Sequence, residues 1–148
     1  MNAEIFKHVI ELQVRNFEVD WQNIVHNAIY LQYFEIGRIE YLKTIGVDVT
    51  AEQINSSSKV VIVRNEINYY SSARFDELLR VYTRVKYVKN SSFAFEGYIE
   101  ETKSNRKIAD NLSVHVWINQ STGKSKRVSD VFRNKVRAFE RNSVEFLA

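Results

Sequence analysis

The stretch VRNFEVDWQNIVHNAIYLQYFEIGRIEYL, residues 14–42, places a polar cluster directly before a long apolar run. From Asn27 to Ile45 the polar positions fall close to one stripe, and nearly every other side chain is apolar or aromatic. Such a wide apolar surface at helical spacing predicts a helix that is mostly buried. Gly46 follows where a helix C′ residue takes a left-handed conformation, so the helix is predicted to end there.

Most of the remaining chain predicts strands. Apolar and polar residues alternate from Phe6 to Val14, which indicates a first strand. Residues 47–58 form a polar excursion with room for a short helical turn. The connections KNSS and KSNRK are short enough for hairpins, so the last three predicted strands are expected to pair as an antiparallel meander. The four later strands are predicted at Lys59–Tyr70, Leu78–Val88, Phe93–Glu101 and Ile108–Asn119.

The C-terminal segment predicts a second helix. Ser129 is placed to cap it, and Phe132, Val136 and Phe139 form an apolar stripe between basic residues. A central helix with an apolar surface on most sides must be contacted on most sides, and a curved antiparallel sheet can supply these contacts. The sequence therefore predicts an α+β fold, with a five-stranded antiparallel sheet wrapped around one long helix and a C-terminal surface helix. The 148 residues, 45% hydrophobic, fit a single domain over residues 1–148.

Composition excludes several kinds of site. The chain has no cysteine, and therefore no disulfide, thiolate metal site or cysteine nucleophile. His8, His26 and His115 show no metal-ligand spacing, so neither a metal nor another cofactor is expected. His115 alternates outward from Val114 and Val116, which favours a surface or interface position. No segment resembles a signal peptide or a membrane span, and the expected location is the cytoplasm.

Positive charge is concentrated near the C-terminus. Residues 124–148 carry seven Lys and Arg against three Asp and Glu. Basic residues interleaved with aromatic ones are typical of nucleic-acid binding, but the two phenylalanines lie at core spacing and a solvated helix face explains the charge better. Nucleic acid is therefore not an expected partner. The residues concerned are Lys124, Lys126, Arg127, Phe132, Arg133, Lys135, Arg137, Phe139 and Arg141.

Asp20 is the first candidate for chemistry, because it precedes the N-terminus of the predicted central helix. Unpaired N–H groups and the helix dipole stabilise negative charge there, including charge that develops on a carbonyl oxygen during acyl transfer. Asp20 could act as nucleophile or general base, with the backbone N–H near Asn27 as oxyanion donor. His26 is a further candidate. Each also has a structural interpretation: Asp20 could be a helix N-cap or a loop acid, Asn27 the actual N-cap, and His26 a hydrogen-bonded structural histidine.

The quoted stretch resembles the opening motif of the 4-hydroxybenzoyl-CoA thioesterase-like acyl-CoA thioesterases, which have the hot-dog fold. INYYSSARFDELLRVYTRVKYVKNSSFAFEGYI, residues 67–99, is similar to the second signature of that family, and STGKSKRVSD, residues 121–130, to the turn before its closing segment. Two positions depart from the pattern: Asn23 stands where the family prefers glycine, and Ser72 where proline is common. Asparagine tolerates left-handed backbone angles well. The first motif is carried by Arg15, Asp20, Val25, His26, Asn27, Tyr30, Tyr33, Phe34, Glu35 and Arg38.

The resemblance implies hydrolysis of an acyl-CoA thioester to a free acid and CoA, with Asp20 as the catalytic carboxylate. It implies substrate contacts from Tyr30 and Tyr33, and from Lys89 and Ser92 near the pantetheine or nucleotide part of CoA. It also implies a homodimer or a dimer of dimers, with the active site between subunits. Two alternatives stay open: an acyl carrier protein thioesterase, and a non-catalytic acyl-CoA-binding module. Glu35 and Arg38 are expected to form an i,i+3 ion pair at a subunit or sheet contact.

Overall fold

A curved antiparallel sheet packs around one long helix in the computed structural model, which describes residues 3–49 and 57–148. The strand order is β1-β3-β4-β5-β2. The expected hot-dog architecture and the antiparallel meander of β3, β4 and β5 are confirmed. The elements are β1 (His8–Gln13), α1 (Asn27–Thr44), β2 (Ser58–Tyr69), β3 (Leu78–Val88), β4 (Ser92–Glu101), β5 (Lys107–Asn119), α2 (Asp130–Glu140) and β6 (Glu145–Phe146).

The predicted strands and α-helices lie close to their predicted bounds, and one short strand in the described ranges was not predicted. The two-residue strand β6 pairs in parallel with the end of β3, through Glu145 beside Tyr87. A strand this short leaves no periodicity in the sequence. The helical turn considered within residues 47–58 falls largely on residues 50–56, outside the described ranges.

Helix α1 approaches the sheet closely through one face. Tyr33, Phe34 and Tyr41 on this face are 1%, 2% and 0% exposed. A Cβ atom at Gly37 would lie 2.6 Å from the Oγ1 atom of Thr83 in β3, so glycine is what permits the close approach.

The C-terminus of α1 has the predicted glycine signal. Gly46 has a φ of 85°, and its N–H donates to the carbonyl of Lys43 at 3.1 Å. The next N–H, from Val47, donates to the carbonyl of Leu42 at 2.9 Å. These two bonds form a Schellman motif, which satisfies the last carbonyls of the helix.

The opposite face of α1 is not covered within a single chain. Ile36 and Ile39 are 45% and 38% exposed. The helix packs mainly against β1, β3 and β4. The prediction of a mostly buried helix is therefore wrong for one chain, because the sheet wraps only part of the helix and leaves a groove beside it.

Helix α2 closes the other end of the core. The Oγ atom of Ser129 accepts the N–H of Phe132 at 3.2 Å, which confirms the predicted cap. Phe132 and Val136 are 4% and 0% exposed, as the apolar stripe predicts. Arg133 is 7% exposed and donates to three backbone carbonyls of neighbouring loops. One cation of the basic segment is therefore a structural group and not part of a free charged surface.

A fully buried carboxylate, Glu140, ties α2 to both α1 and β3. Its Oε2 atom accepts the hydroxyl of Tyr41 at 2.6 Å and the N–H of Val85 at 3.0 Å. Burial, together with this carboxylate, strongly raises the pKa of Tyr41, so the phenol stays protonated and donates. Glu140 thus joins three elements through charge-assisted hydrogen bonds.

Replacing Glu140 with alanine is expected to lower the free energy of unfolding by about 3 kcal/mol, because two buried donors lose their acceptor. Chemical denaturation followed by circular dichroism measures this change. Glu145→Ala is the matched control at an exposed position and should change stability by less than about 0.5 kcal/mol. A loss below about 1 kcal/mol for Glu140→Ala would contradict the role given to this carboxylate.

Candidate active site

A cavity of about 400 Å³ opens beside the N-terminus of α1. It brings together four residues that the sequence selected: Asp20, His26, Asn27 and Tyr30. The cavity therefore combines a carboxylate with a helix N-terminus. Its other lining residues are Ile24, Val25, Tyr69, Tyr70, Ser71 and Ser72.

The Asp20 carboxylate is partly buried and presents one unoccupied oxygen. Its Oδ1 atom accepts the N–H groups of Gln22 at 2.8 Å and Ile24 at 3.3 Å. In the described part of the chain, Oδ2 has no hydrogen-bond partner. The backbone thus holds the carboxylate through one oxygen and leaves the other available to water or substrate. Asp20 caps its own loop, so its interpretation as the cap of α1 is wrong.

Asn23 adopts a left-handed backbone conformation of the kind that favours glycine. Its φ is 62°, in the left-handed region that asparagine tolerates better than other non-glycine residues. Its Oδ1 atom accepts the N–H of Phe75 at 3.1 Å. Asparagine therefore preserves the turn next to Asp20 and adds a hydrogen bond to the second loop of the site.

The N-terminus of α1 offers unpaired donors to the cavity. His26 is the N-cap residue and makes no side-chain capping bond, so the interpretation of Asn27 as the cap is also wrong. The N–H groups of the first helical residues, Asn27 and Ala28, have no intrahelical acceptor. The first turn contains no acidic residue. Tyr69 fixes the helix end by donating its hydroxyl to the carbonyl of Asn27 at 3.1 Å.

Glu18, which the sequence interpretation missed, positions the loop that carries Asp20. It is 9% exposed, and its Oε1 atom accepts the hydroxyl of Tyr33 at 3.0 Å and the N–H of Arg15 at 2.8 Å. Burial and this carboxylate raise the pKa of Tyr33. Tyr33 is 1% exposed and does not line the cavity. Within a single chain Tyr33 therefore makes a structural bond, and its contact with substrate stays a prediction.

Hydrogen bonds hold a second loop, residues 71–77, against α1 and the segment before it. The hydroxyl of Tyr30 accepts the N–H of Ala73 at 3.0 Å, and the carbonyl of Ala73 accepts the N–H of Val25 at 2.9 Å. Arg106 forms an ion pair with Glu77 at 2.9 Å and donates to a carbonyl of the loop. Sequence reasoning missed Arg106 and Glu77, since only the folded loop brings them together.

Lys89 and Ser92 lie far from the cavity within one chain. Ser92 pairs with Val116 on β5, whereas the cavity residue Tyr69 pairs with Ala109 on the same strand. Positions 109 and 116 are about 23 Å apart along a strand. A single chain does not bring Lys89 or Ser92 to Asp20, and their substrate contacts stay predictions.

Two expectations about polar side chains are wrong. His115 is 7% exposed, with its Nε2 atom 2.8 Å from the Oγ atom of Ser113, because position 115 lies on the inner face of β5. Arg38 is also 7% exposed and forms no ion pair with Glu35. Its Nη1 atom instead donates to Oδ1 of Asn111 at 3.4 Å.

In residues 3–49 and 57–148, no three histidine, aspartate or glutamate side chains form a group that could hold a metal ion. No helix within those ranges is both long and apolar enough to cross a bilayer.

The sequence of residues 14–136 matches the profile of the thioesterase-like superfamily. This match covers most of the chain. The chain belongs to that superfamily.

Relatives within the superfamily act on two kinds of thioester. Over 111 residues the chain is 27% identical to the chloroplastic acyl-acyl carrier protein thioesterase ATL3 of Arabidopsis thaliana, which covers 75% of this chain. Over 79 residues it is 33% identical to the acyl-CoA thioesterase YbgC of Haemophilus influenzae, which covers 53% of this chain. In both cases the chain spans 58% of the relative's length.

Solved structures share the fold over nearly the whole chain. A thioesterase of Thermus thermophilus, solved with coenzyme A and Zn, is 26% identical, covers 93% of this chain and 96% of its own, and has a TM-score of 0.79. A 1,4-dihydroxy-2-naphthoyl-CoA thioesterase from Synechocystis has a TM-score of 0.81, covers 87% of this chain and 94% of its own, and is 18% identical, which supports the fold alone.

The Asn23 turn predicts a graded response to substitution. Asn23→Gly keeps the left-handed conformation and loses one hydrogen bond, whereas Asn23→Ala loses the bond and meets a steric penalty. Alanine should therefore be about 1 kcal/mol less stable than glycine at this position. Thermal and chemical denaturation of both variants measure the difference. Equal stability of the two variants would show that the turn relaxes out of the left-handed region.

Proposed function

We propose that the protein is a thioesterase that hydrolyses an acyl-CoA thioester to a free carboxylic acid and CoA. The observation that carries this proposal is the cavity where the unoccupied oxygen of Asp20 and the first amides of α1 lie together. Membership of the thioesterase-like superfamily supports the reaction class. The acyl-CoA thioesterase of Haemophilus influenzae supports CoA as the thiol.

Two routes are open to the carboxylate. As a general base, Asp20 takes a proton from water as the water oxygen attacks the thioester carbonyl, and returns that proton to the departing thiolate. As a nucleophile, its oxygen attacks the carbonyl and expels the thiolate, and water then cleaves the resulting anhydride. In both routes negative charge develops on the carbonyl oxygen, where the N–H groups of Asn27 and Ala28 stabilise it.

Rapid quenching during a single turnover distinguishes the two routes. Mass spectrometry of the quenched protein would find an acyl group on Asp20 if the carboxylate is a nucleophile, and no acylated protein if it is a base.

His26 and Tyr30 supply further contacts in this proposal. The His26 side chain makes no hydrogen bond in residues 3–49 and 57–148 and lines the cavity, so it is available to the substrate. The Tyr30 hydroxyl is already bonded to Ala73. Tyr30 therefore shapes the apolar wall and keeps the second loop in place.

The proposed active unit is a homodimer joined through β2. This strand is twelve residues long, lies at the edge of the sheet and exposes Val60, Ile62 and Val63 by 42%, 48% and 59%. A long, apolar and unpaired edge favours pairing with a second copy. Tyr69, at one end of β2, lines the cavity, and Ser58 lies at the other end. Antiparallel pairing of two β2 strands would therefore place the Ser58 end of one copy beside the cavity of the other. Lys89 and Ser92 lie near that end, which supports their predicted contact with the CoA part of a substrate bound at the partner's Asp20.

An acyl carrier protein thioester is the alternative substrate, favoured by the similarity to the Arabidopsis enzyme. The same acyl group presented on CoA and on a carrier protein separates the two. A kcat/KM at least about tenfold higher for one of them identifies the thiol carrier. Tight binding of acyl-CoA without turnover of either substrate would instead support the non-catalytic module.

Asp20→Asn is expected to lower kcat/KM by about a thousandfold or more, because the amide can act neither as base nor as nucleophile. Thioester hydrolysis followed by release of free thiol measures the effect. Asp130→Asn, at an exposed position on α2, is the matched control and should keep wild-type activity. Full activity of a correctly folded Asp20→Asn protein would contradict the catalytic role of Asp20.

Val63→Lys is expected to weaken the dimer, since a lysine at the edge repels a second copy across the two-fold axis. Sedimentation of both proteins over a range of concentrations should show the variant dissociating at higher concentrations than the wild type. Activity should fall with dissociation. A wild-type protein that stays monomeric, or a monomeric variant with full activity, would rule out the proposed assembly.

A further inference from the structure

A second concave surface, the helix groove, lies between α1 and the inner face of β5 and β2. Its volume is about 280 Å³. It opens to solvent through partly exposed side chains, since Ile39, Val60 and Ile62 are 38%, 42% and 48% exposed. Its wall is mostly apolar, with Ile39, Leu42, Val60, Ile62, Trp117 and Phe132 as principal residues.

A buried cation without a carboxylate partner lies in this wall. Arg38 is 7% exposed, and within the described ranges no carboxylate oxygen comes within 4.0 Å of its guanidinium. Its hydrogen bond to Asn111 is long, at 3.4 Å. Burial lowers the pKa of Arg38, and the charge of Glu35 on the same wall opposes this only in part. A buried charge is costly unless a hydrogen-bonded counter-charge accompanies it.

The other polar groups of the helix groove do not supply that counter-charge. The indole N–H of Trp117 is buried and has no hydrogen-bond partner in the described ranges. His115 is bonded to Ser113, and burial together with Arg38 lowers its pKa to about 4, so its ring is neutral near pH 7. The helix groove therefore offers strong donors, from Arg38 and Trp117, in mostly apolar surroundings, and the Glu35 carboxylate on the same wall forms a hydrogen bond with neither of them.

We propose that the helix groove binds an amphiphilic carboxylic acid, with its carboxylate against Arg38 and its apolar chain over Ile39, Leu42 and Val60. A carboxylate is the acceptor that pairs best with a guanidinium. Such an acid is also the product class of the proposed hydrolysis, and in this respect the inference rests on the proposed function. Arg38 lies about 16 Å beyond Asn27 along α1, so this carboxylate is bound away from the carbonyl that reacts at Asp20 of the same chain.

Trp117 gives a direct readout of the helix groove. The chain has two tryptophans, and Trp21 is 91% exposed, so Trp21→Phe leaves Trp117 as the single reporter. Titration with laurate, below its micelle concentration, should change the fluorescence of this variant saturably. Dodecanol has the same chain without the charge and should bind about tenfold more weakly or worse. Equal affinity for the two compounds, or no saturable change with laurate, would overturn the proposal.

Arg38→Met tests the cation, because methionine keeps an apolar stem and removes the charge. In the Trp21→Phe background it should weaken laurate binding by about tenfold or more and leave dodecanol binding unchanged. Arg64→Met, at an exposed position on β2, is the matched control and should change neither affinity.

If Arg38→Met does not fold, Ile62→Glu at the groove rim places a competing carboxylate there and should also abolish laurate binding. Unchanged laurate affinity in a folded Arg38→Met or Ile62→Glu protein would overturn the proposal.

Asp20→Asn separates this inference from the proposed function. The variant should bind laurate as the Trp21→Phe protein does, because Asp20 does not line the helix groove. Laurate binding by a protein that hydrolyses no thioester would count against the hydrolase and leave the groove assignment in place. Thioester hydrolysis by a protein that does not bind laurate would overturn the groove assignment and leave the proposed hydrolase in place. If laurate bound only after Val63→Lys had separated the subunits, an acidic group of the second copy would be the partner of Arg38, and the proposal would be wrong.

Discussion

The close approach of α1 to β3 and β4 sets the position of the helix N-terminus around which the candidate active site is built. Two glycines permit it from opposite sides, since a Cβ atom at Gly37 would collide with Thr83, and one at Gly97 would lie 3.1 Å from the ring of Phe34 and 2.8 Å from the carbonyl of Tyr82. With the helix axis set by this contact, its N-terminus points into a space bounded by two loops. Tyr30 then connects the helix to the loop of residues 71–77, and Tyr33 connects it to the loop that carries Asp20, each by a hydrogen bond.

Much of the fold could be predicted because the signals are local. Alternation marks the strands, and the caps at Ser129 and Gly46 mark helix ends through hydrogen bonds within one turn. What could not be predicted is which face of α1 the sheet covers. Apolar residues surround most of this helix, and only the curvature of the sheet decides that Tyr33 and Phe34 are buried while Ile36 and Ile39 stay exposed.

In the candidate site, too, groups close in sequence could be predicted and groups brought together from distant segments could not. Asp20 and the helix N-terminus could be predicted because six residues separate them in sequence, whereas the groups that hold them come from distant segments. Glu18 depends on a phenol fifteen residues later, and Arg106 reaches a carboxylate twenty-nine residues away. His115 was misplaced for a related reason: an alternating strand does not say which side faces the interior until the neighbouring elements are known.

The edge position of β2 also has a consequence for how the chain folds. β2 pairs with β5, from Tyr69 beside Ala109 to Ser58 beside Asn119, and the whole β3 and β4 hairpin lies between them in sequence. Hairpins of neighbouring strands close short loops quickly, whereas a pairing across forty to sixty residues carries a larger loop-closure cost. We therefore expect β2 to join the sheet late, with the uncharged run Val60–Val63 exposed in the meantime. During synthesis and refolding that exposed run is prone to self-association, so a strand that joins the sheet late also puts the nascent chain at risk of aggregation.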